Sequence, residues 1–441
     1  MNRKPAEQMR LPLEEGDCVT LAECTEHPVV EGLLERILER ENLLKAFKQV
    51  ERNSGSAGVD GMTVKELRPY LKGHWRAIRE RMLNGTYRPK PVKRVEIPKP
   101  GGGVRNLGVP TVLDRFIQQA ILQVLQEICD PDFSEHSYGF RPGRNAHQAV
   151  YQAQSYLRRG YSWVVDIDIE KFFDRVNHDL LINRLRKYVQ DRRVLRLINL
   201  YLQSGVLIGD MVEATLEGTP QGGSLSPLLA NVILDGLDRE LERRGHRFVR
   251  YADDGNVYVR SRRSAERVLG SIIRFLERRL KLRVNDKKSA VGRPWERQFL
   301  GFSITRSTRR SLSDKSLKRF KERIRELTYR TRGRKISDVI AELRRYLQGW
   351  QAYYGYIEVR GIFKELDSWI RRRLRCYLLK QWGRRRYREL RKRGVSRELA
   401  WNTTKTAHGP WRLSRSPALS IALPGHYFDS MGLPRLNVKT T

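Results

Sequence analysis

Residues 162–181 read SWVVDIDIEKFFDRVNHDLL, and this stretch decides the fold. If it begins as a strand, successive side chains point to opposite faces. One face then carries apolar side chains and the other carries two acids: Val165, Ile167 and Ile169 against Val164, Asp166 and Asp168. The acids are either ordinary charges on a solvent-exposed edge or parts of a site. A calcium-binding EF-hand loop starting at Asp166 is excluded, because its sixth position is Lys171 instead of glycine.

A second acidic stretch, RYADDGNVYV at residues 250–259, predicts a strand, a tight turn and another strand. Asp and Gly are good turn formers, so this hairpin alone would indicate no function. Together with an acid at a strand end about 85 residues earlier, Asp253 and Asp254 supply the parts of a two-metal site. Divalent ions such as Mg²⁺ take few protein carboxylates and keep positions for substrate phosphates. The two stretches together favour metal-assisted phosphoryl chemistry.

The charge of the chain indicates a polyanionic partner. Its 441 residues carry 86 Lys and Arg against 50 Asp and Glu, a formal net charge of +36 at pH 7. Such an excess suits nucleic acid. Residues 301–441 hold about +24 of it, so the last third of the chain should meet the polyanion extensively. A hydrophobic content of 39% is ample for two or three globular domains.

Other classes of protein are not supported. The four cysteines form no CxxC pair, which argues against a zinc ribbon or a disulfide framework and fits a reduced compartment. No apolar run approaches the length that spans a bilayer, so no membrane association is expected. The glycine triplet at 101–103 lies in no GxxxxGK[ST] motif, so a P-loop is not supported. Residues 1–30 carry several Glu, and we expect them to form a mobile leader.

Further motifs identify a family. The stretch GTPQGGSLSPLLANVILDGLD occupies residues 218–238, followed by VNDKKS at 284–289 and FLGF at 299–302. With DIEKFFD and YADD, these five motifs occur in the order found in group II intron reverse transcriptases, also called maturases. The chain resembles this family from about residue 33 to about residue 425.

The resemblance implies an α+β fold: a right-hand polymerase with fingers, a palm built on an antiparallel sheet and a helical thumb, fused to a C-terminal helical maturase domain. The implied boundaries are residues 31–165 for the fingers, 166–305 for the palm with some finger elements, 306–345 for the thumb, and 346–441 for the RNA-binding maturase domain and tail.

The resemblance also implies that Asp168, Asp253 and Asp254 are the catalytic acids and hold two Mg²⁺ ions. One ion would lower the pKa of the primer 3′-hydroxyl, and the other would stabilise the departing pyrophosphate. Asp166 is the poorer candidate ligand, since the family motif aligns the metal ligand with Asp168.

Five further residues are implied to contact the incoming deoxynucleotide: Lys99, Arg105, Phe173, Gln221 and Lys288. The two basic side chains of the 95–110 hairpin would hold the triphosphate, where an arginine fork takes two phosphate oxygens, or they would form a solvated basic loop. Phe173 would exclude a ribose 2′-hydroxyl, or simply pack in the core. The glycines beside Gln221 permit close approach of the backbone to a nucleotide.

Two basic regions are candidates for RNA contact. In HSYGFRPGRNAH, residues 136–147, Arg141 and Arg144 are candidate template contacts. In residues 366–394, an apolar stripe at helical spacing predicts one buried helix face: Trp369, Ile370, Leu374, Tyr377, Leu378 and Trp382. The remaining surface of this helix presents candidates to grip structured RNA through its phosphates: Arg371, Arg372, Arg375 and Lys380.

The expected function is RNA-directed DNA synthesis, together with binding of an intron RNA for splicing and mobility. Expected partners are intron and template RNA, a DNA primer or target, and deoxynucleoside triphosphates, in a cytoplasmic ribonucleoprotein; a homodimer stays open. No HNH endonuclease is expected, because no cluster of Cys and His follows the maturase region. Two alternatives remain: an RNA-binding splicing cofactor without polymerase activity, and a reverse transcriptase recruited to CRISPR or phage defence.

Overall fold

A computed structural model describes residues 32–98, 103–208, 211–213, 215, 217–219 and 222–438. Helices and strands alternate over the first two thirds of this part, and helices dominate afterwards. The expected leader, residues 1–30, lies outside it. Within these ranges no helix is both long enough and apolar enough to cross a bilayer.

The first region packs helices against a hairpin. Its elements are α1 (Leu33–Ile37), α2 (Arg40–Asn53), α3 (Val64–Leu83), β1 (Val92–Pro98), β2 (Val104–Val109), α4 (Val112–Cys129) and α5 (Ala146–Arg158). Apolar spacing over residues 33–50 predicts one helix, but the chain is extended at Glu39, and Asn42 donates to the Ile37 carbonyl at 2.8 Å. The Asn42 side chain thus takes the place of a backbone amide as donor to Ile37, and the expected single helix is divided into α1 and α2.

The second region contains the sheet that carries the acidic residues. Its elements are β3 (Trp163–Ile167), α6 (His178–Leu185), α7 (Arg192–Leu202), β4 (Val206–Ile208), β5 (Met211–Glu213), α8 (Ser226–Arg243), β6 (Arg247–Tyr251), β7 (Asp254–Val259), α9 (Arg262–Arg279) and β8 (Ala290–Gly292). One sheet has the order β6-β7-β3-β8 with every pair antiparallel. A second, mixed sheet has the order β2-β1-β4-β5.

The predicted alternation along β3 is confirmed. Val165 and Ile167 are buried in the large core formed by residues between 33 and 284. Val164 lies on the opposite face, in a smaller core with Tyr156 of α5 and Tyr258 of β7. Since each face of the sheet is covered by apolar side chains, β3 is held at the centre and its end is fixed in position.

The last region is helical and has its own core. Its elements are β9 (Phe302–Ile304), β10 (Arg310–Leu312), α10 (Asp314–Leu327), α11 (Ile336–Tyr354), α12 (Gly361–Trp382), α13 (Arg386–Lys392), α14 (Arg397–Lys405), α15 (Pro410–Leu413), α16 (Pro417–Ala422) and α17 (Gly425–Ser430). The predicted stripe of α12 is buried in this core, except for Trp369, which is half-buried. The expected α+β architecture, with an antiparallel central sheet and a helical C-terminal region, is thereby confirmed.

Candidate active site

The end of β3 lies beside the tip of the β6–β7 hairpin. Ile167 is paired with Gly255 in antiparallel register, so the next residue, Asp168, stands beside Asp254. The structure therefore brings the acid of the first motif to the two acids of the second. Their role as metal ligands stays a prediction.

Asp254 is surrounded by three further acids, Asp166, Asp168 and Asp253, whose charges act on its pKa. Asp254 lies at the exposed tip, and its pKa is raised to about 6. The largest cause is partial desolvation of its carboxylate by the protein packed around it. The charges of Asp253, Asp166 and Asp168 act in the same direction, and Lys288 acts against them. Like charges this close favour a bound cation, which would relieve the repulsion.

The VNDKKS motif holds Asp168 in place. The backbone amide of Asp168 donates to Ser289 Oγ at 2.9 Å, and the amide of Asn285 donates to the Asp168 carbonyl at 2.8 Å. Lys288 Nζ lies 3.1 Å from Asp168 Oδ2 and donates to Oδ1 at 3.4 Å. The ammonium thus places a positive charge next to the carboxylate.

The donor set fits a divalent cation, although it is not arranged as a closed ligand shell. Across the part of the chain that the structure describes, no three acidic, His or Cys side chains are grouped so as to hold a metal ion. Asp168 Oδ2, however, is buried and accepts no hydrogen bond of good geometry, although the largely exposed Lys288 ammonium lies 3.1 Å away. A buried carboxylate oxygen in this situation is a suitable oxygen ligand for a hard cation.

A buried network supports the hairpin tip. Ala252 has a left-handed backbone, with φ of 57°, and its carbonyl accepts a hydrogen bond from Arg250 Nη1 at 2.9 Å. The same nitrogen donates to Asn231 Oδ1 at 3.0 Å, and Asn231 Nδ2 donates to the Gly139 carbonyl at 2.9 Å. Asp238 pairs with the guanidinium. Because a non-glycine residue in this conformation is strained, the tip needs such support.

This network was missed by the sequence analysis, although a signal exists. Period-two alternation along β6 places Arg250 on the same face as the buried Phe248. A charged residue on a core face needs a buried partner. The acid that meets this need, Asp238, lies earlier in the chain, in the apolar stretch of α8.

Arg141, predicted to contact the template, is engaged inside the protein in this structure. Its side chain is buried, with Nε 2.8 Å from Asp130 Oδ1 and Nη1 2.5 Å from the Ser134 carbonyl. These internal partners take the donors that an RNA phosphate would need. Arg144 is half-buried, and its Nη1 donates to the Glu135 carbonyl at 2.5 Å.

The residues expected at the nucleotide fall into two groups. Lys99 and Gln221 lie outside the described residues, and Arg105 lies in β2 but its side chain is not among those described. Phe173 is half-buried, packs edge to face on Phe172 with ring centroids 5.2 Å apart, and lines a cavity of about 200 Å³. Its role as a steric gate stays a prediction.

The backbone of the Pro-Gln-Gly motif approaches β2 closely. A Cβ on Gly222 would lie 2.7 Å from the Gly108 carbonyl oxygen, and the Gly222 φ of 136° also disfavours other residues. Glycine is therefore required at this position by contact with the protein itself.

The four basic side chains of α12 differ in their partners. Arg371 pairs with Asp429 at 2.6 Å and with Asp367 at 3.5 Å, so its donors serve the fold and the prediction of an RNA contact is not supported. Arg375 donates to the Leu423 carbonyl at 2.9 Å. Lys380 is exposed, and among the described residues Arg372 donates to neutral acceptors, Ser414 Oγ and the Trp411 carbonyl.

Comparison with known families and proteins adds independent findings. Residues 97–304 match the reverse transcriptase (RNA-dependent DNA polymerase) family, and residues 317–394 match the group II intron, maturase-specific domain. Protein YkfC of Escherichia coli is 36% identical over 222 residues, 49% of this chain and 58% of YkfC. The group II intron-encoded protein LtrA of Lactococcus lactis is 35% identical over 195 residues, 44% of this chain and 32% of LtrA.

Among solved structures, telomerase from Candida albicans aligns with a TM-score of 0.42 at 13% identity, covering 70% of this chain and 63% of that one. The chain matches just over half of YkfC and about a third of LtrA.

Proposed function

We propose that the chain is a group II intron reverse transcriptase with a maturase-specific domain, which synthesises DNA on an RNA template and binds an intron RNA to assist splicing and mobility. The two family matches and the similarity to LtrA support this proposal. The substrates of the chain would be deoxynucleoside triphosphates and a DNA primer or target. The proposed setting is a cytoplasmic ribonucleoprotein.

The observation that carries the polymerase proposal is the register of β3 and β7. It supports a single acidic cluster of Asp168, Asp253 and Asp254 at the end of the central sheet. We propose that these residues hold two Mg²⁺ ions, which would activate the primer hydroxyl and stabilise the departing pyrophosphate. The buried Oδ2 of Asp168, which accepts no hydrogen bond of good geometry and lies beside the exchangeable Lys288 ammonium, supports this assignment.

The remaining residues of the site would position the reactants. Lys288 is close enough to Asp168 to turn towards a nucleotide phosphate once a cation takes over the carboxylate. Ser289 and Asn285 hold the backbone of Asp168 by hydrogen bonds. Holding the acids rigidly matters, because phosphoryl transfer depends mainly on positioning and charge stabilisation.

Of the two alternative functions, neither is favoured by an observation of its own. A splicing cofactor without polymerase activity would have no use for three acids gathered at one site, whereas all three stand together here. The match to the maturase-specific domain supports an intron RNA as partner over recruitment to defence.

The test is primer extension on an RNA template with Mg²⁺. Asp253→Asn should reduce DNA synthesis at least about a hundredfold, since metal ions supply several kcal/mol of transition-state stabilisation. Asp338→Asn, which removes one exposed acid in α11, is the matched control and should leave synthesis unchanged. Both variants should bind RNA like the native protein. DNA synthesis by Asp253→Asn at the native rate would remove the metal assignment.

A further inference from the structure

One face of α12 carries two arginines that point towards arginines from other segments. Cys376 follows Arg373 by three residues and Arg372 by four, so these side chains lie on the same side of the helix. Arg330 Nη1 reaches Cys376 Sγ at 3.6 Å, and Arg373 Nη2 reaches the Arg325 carbonyl at 3.4 Å. Just after α15, Arg372 Nε donates to Ser414 Oγ at 3.3 Å, which brings the next residue, Arg415, near Arg372. We call this set the arginine cluster: Arg325, Arg330, Arg372, Arg373 and Arg415.

The arginine cluster has no acidic partner within the described ranges. None of its five members forms an ion pair with a described carboxylate, and the hydrogen bonds of Arg372 and Arg373 go to neutral acceptors: Ser414, Trp411, Thr328 and the Arg325 carbonyl. Arg371 on the same helix differs, because it contacts two aspartates. Grouped like charges without a counter-ion are unfavourable unless an anion binds them.

The positive charges of the arginine cluster also repel one another. Burial, followed by the neighbouring Arg415, lowers the pKa of Arg372. Burial is likewise the main influence that lowers the pKa of Arg373, and Arg325 and Arg330 add to it. The side chains are therefore held together by packing and neutral hydrogen bonds against their mutual repulsion.

Aromatic rings border the arginine cluster. The Arg372 guanidinium lies 3.7 Å from the ring centroid of Trp411, and Arg325 and Arg373 lie 5.9 Å and 5.4 Å from that of Trp369. Tyr329 and Trp411 keep 61% and 39% of their surface exposed. Trp411 packs against a guanidinium, and Tyr329 directly precedes Arg330 in the chain. Exposed rings in these positions offer stacking sites for nucleobases.

We propose that the arginine cluster binds a backbone phosphate of structured RNA, with an adjacent base stacked on Tyr329 or Trp411. The phosphate supplies the missing negative charge, and a guanidinium fork can donate to two of its oxygens. The exposed rings favour RNA over an acidic peptide, which has no bases to stack. This inference rests on the proposed function, in which the partner is an intron RNA, and it names the groups that contact that RNA.

The test uses Arg330→Gln, Arg415→Gln and the double variant, because both side chains are exposed and their loss should leave folding intact. A structured group II intron transcript is the probe, titrated at several salt concentrations. Each single variant should bind about three- to tenfold more weakly and reduce the slope of log affinity against log salt by about one, and the double variant by about two. Lys364→Gln removes one exposed charge on α12 outside the cluster and should keep the native slope.

Stacking is tested separately with Tyr329→Ala, which should weaken binding on the order of tenfold without changing the salt slope. Native slope and affinity in the double variant, or an equal change in Lys364→Gln, would overturn the proposal. Asp253→Asn should bind the transcript normally, so a failure of the polymerase proposal is seen in primer extension and a failure of this one in binding.

Discussion

Arg250 and Asp238 form an ion pair whose side chains are 2% and 0% exposed, directly beneath the hairpin that carries Asp253 and Asp254. Arg250 Nε lies 2.8 Å from Asp238 Oδ1, and Nη2 lies 2.5 Å from Oδ2. Removing two charges from water is costly, so a buried ion pair is weak evidence of stabilisation. Its value here is geometric, because the same guanidinium also holds the Ala252 carbonyl.

Breaking this pair should unfold the protein more easily. Asp238→Ala leaves a buried guanidinium without its counter-ion, and the free energy of unfolding should fall by about 3–5 kcal/mol, measured by urea denaturation. The double variant Arg250→Met with Asp238→Leu replaces the pair by apolar side chains and should recover most of that loss.

The double variant separates stability from positioning. It has no donor for the Ala252 carbonyl, so we expect primer extension to stay at least about tenfold below native even where stability has recovered. Native activity in the recovered double variant would show that the guanidinium does not position the hairpin tip.

Gly139, a glycine of the HSYGF stretch, lies directly against the backbone of the hairpin tip. A Cβ on Gly139 would overlap the backbone nitrogen of Ala252 and lie 2.9 Å from the Tyr251 carbonyl carbon. Gly139→Ala should therefore displace the tip, reduce primer extension at least about tenfold and lower stability by about 1–3 kcal/mol.

Gly349→Ala is the control for this substitution. Gly349 lies inside α11, where an added Cβ meets no atom within 4 Å, so the change should raise stability by about 0.5–1 kcal/mol and leave activity unchanged. Equal activities of the two alanine variants would contradict the close contact between Gly139 and the hairpin.

The stability of the protein should depend on pH through Asp166. Burial, opposed by Arg297 and assisted by Asp168, raises the pKa of Asp166 to about 6. The folded state therefore binds more protons than the unfolded state between about pH 4 and pH 6, and the contribution of Asp166 to stability falls as the pH rises through that window.

Asp166→Asn removes this titration. Its side chain can still accept the hydrogen bond that the reoriented amide of Asn256 donates at 3.1 Å. We expect the variant to be more stable than the native protein by about 1–3 kcal/mol at pH 8 and equal to it at pH 4, measured by urea denaturation. A variant less stable than native at pH 8 would contradict the assigned direction of the pKa shift.

Local patterns predicted those features that short-range physics determines. Alternation along residues 164–169 identified both faces of β3, and the acidic turn at Asp253 identified the hairpin, because side-chain direction in a strand depends only on parity. Pairing of β3 with β7 could be inferred only through the chemistry that two acidic stretches share.

The partners of basic side chains could not be predicted in this way. Arg141, Arg371 and Arg372 look alike in sequence, yet the first pairs with Asp130, the second with Asp429 and the third with no described acid. Which arginine finds an acid depends on packing between distant segments. The arginines without a described acidic partner, which are the candidates to bind a polyanion, are therefore recognised only after the fold is known.

Lys288 should compete with divalent cations for Asp168. Its ammonium, 3.1 Å from Asp168 Oδ2, already neutralises part of the charge that a cation would neutralise. Lys288→Met should therefore tighten binding of Mn²⁺ by about three- to fivefold, measured by titration calorimetry without nucleotide. The effect is modest because the ammonium is largely exposed and solvent screens its charge.

The same Lys288→Met variant should raise the KM for deoxynucleotides, since the nucleotide loses a cationic neighbour. Lys287→Met, which removes the adjacent exposed ammonium, should change neither quantity. Weaker Mn²⁺ binding in Lys288→Met than in Lys287→Met would mean that the lysine helps to hold the cation site together instead of competing for it.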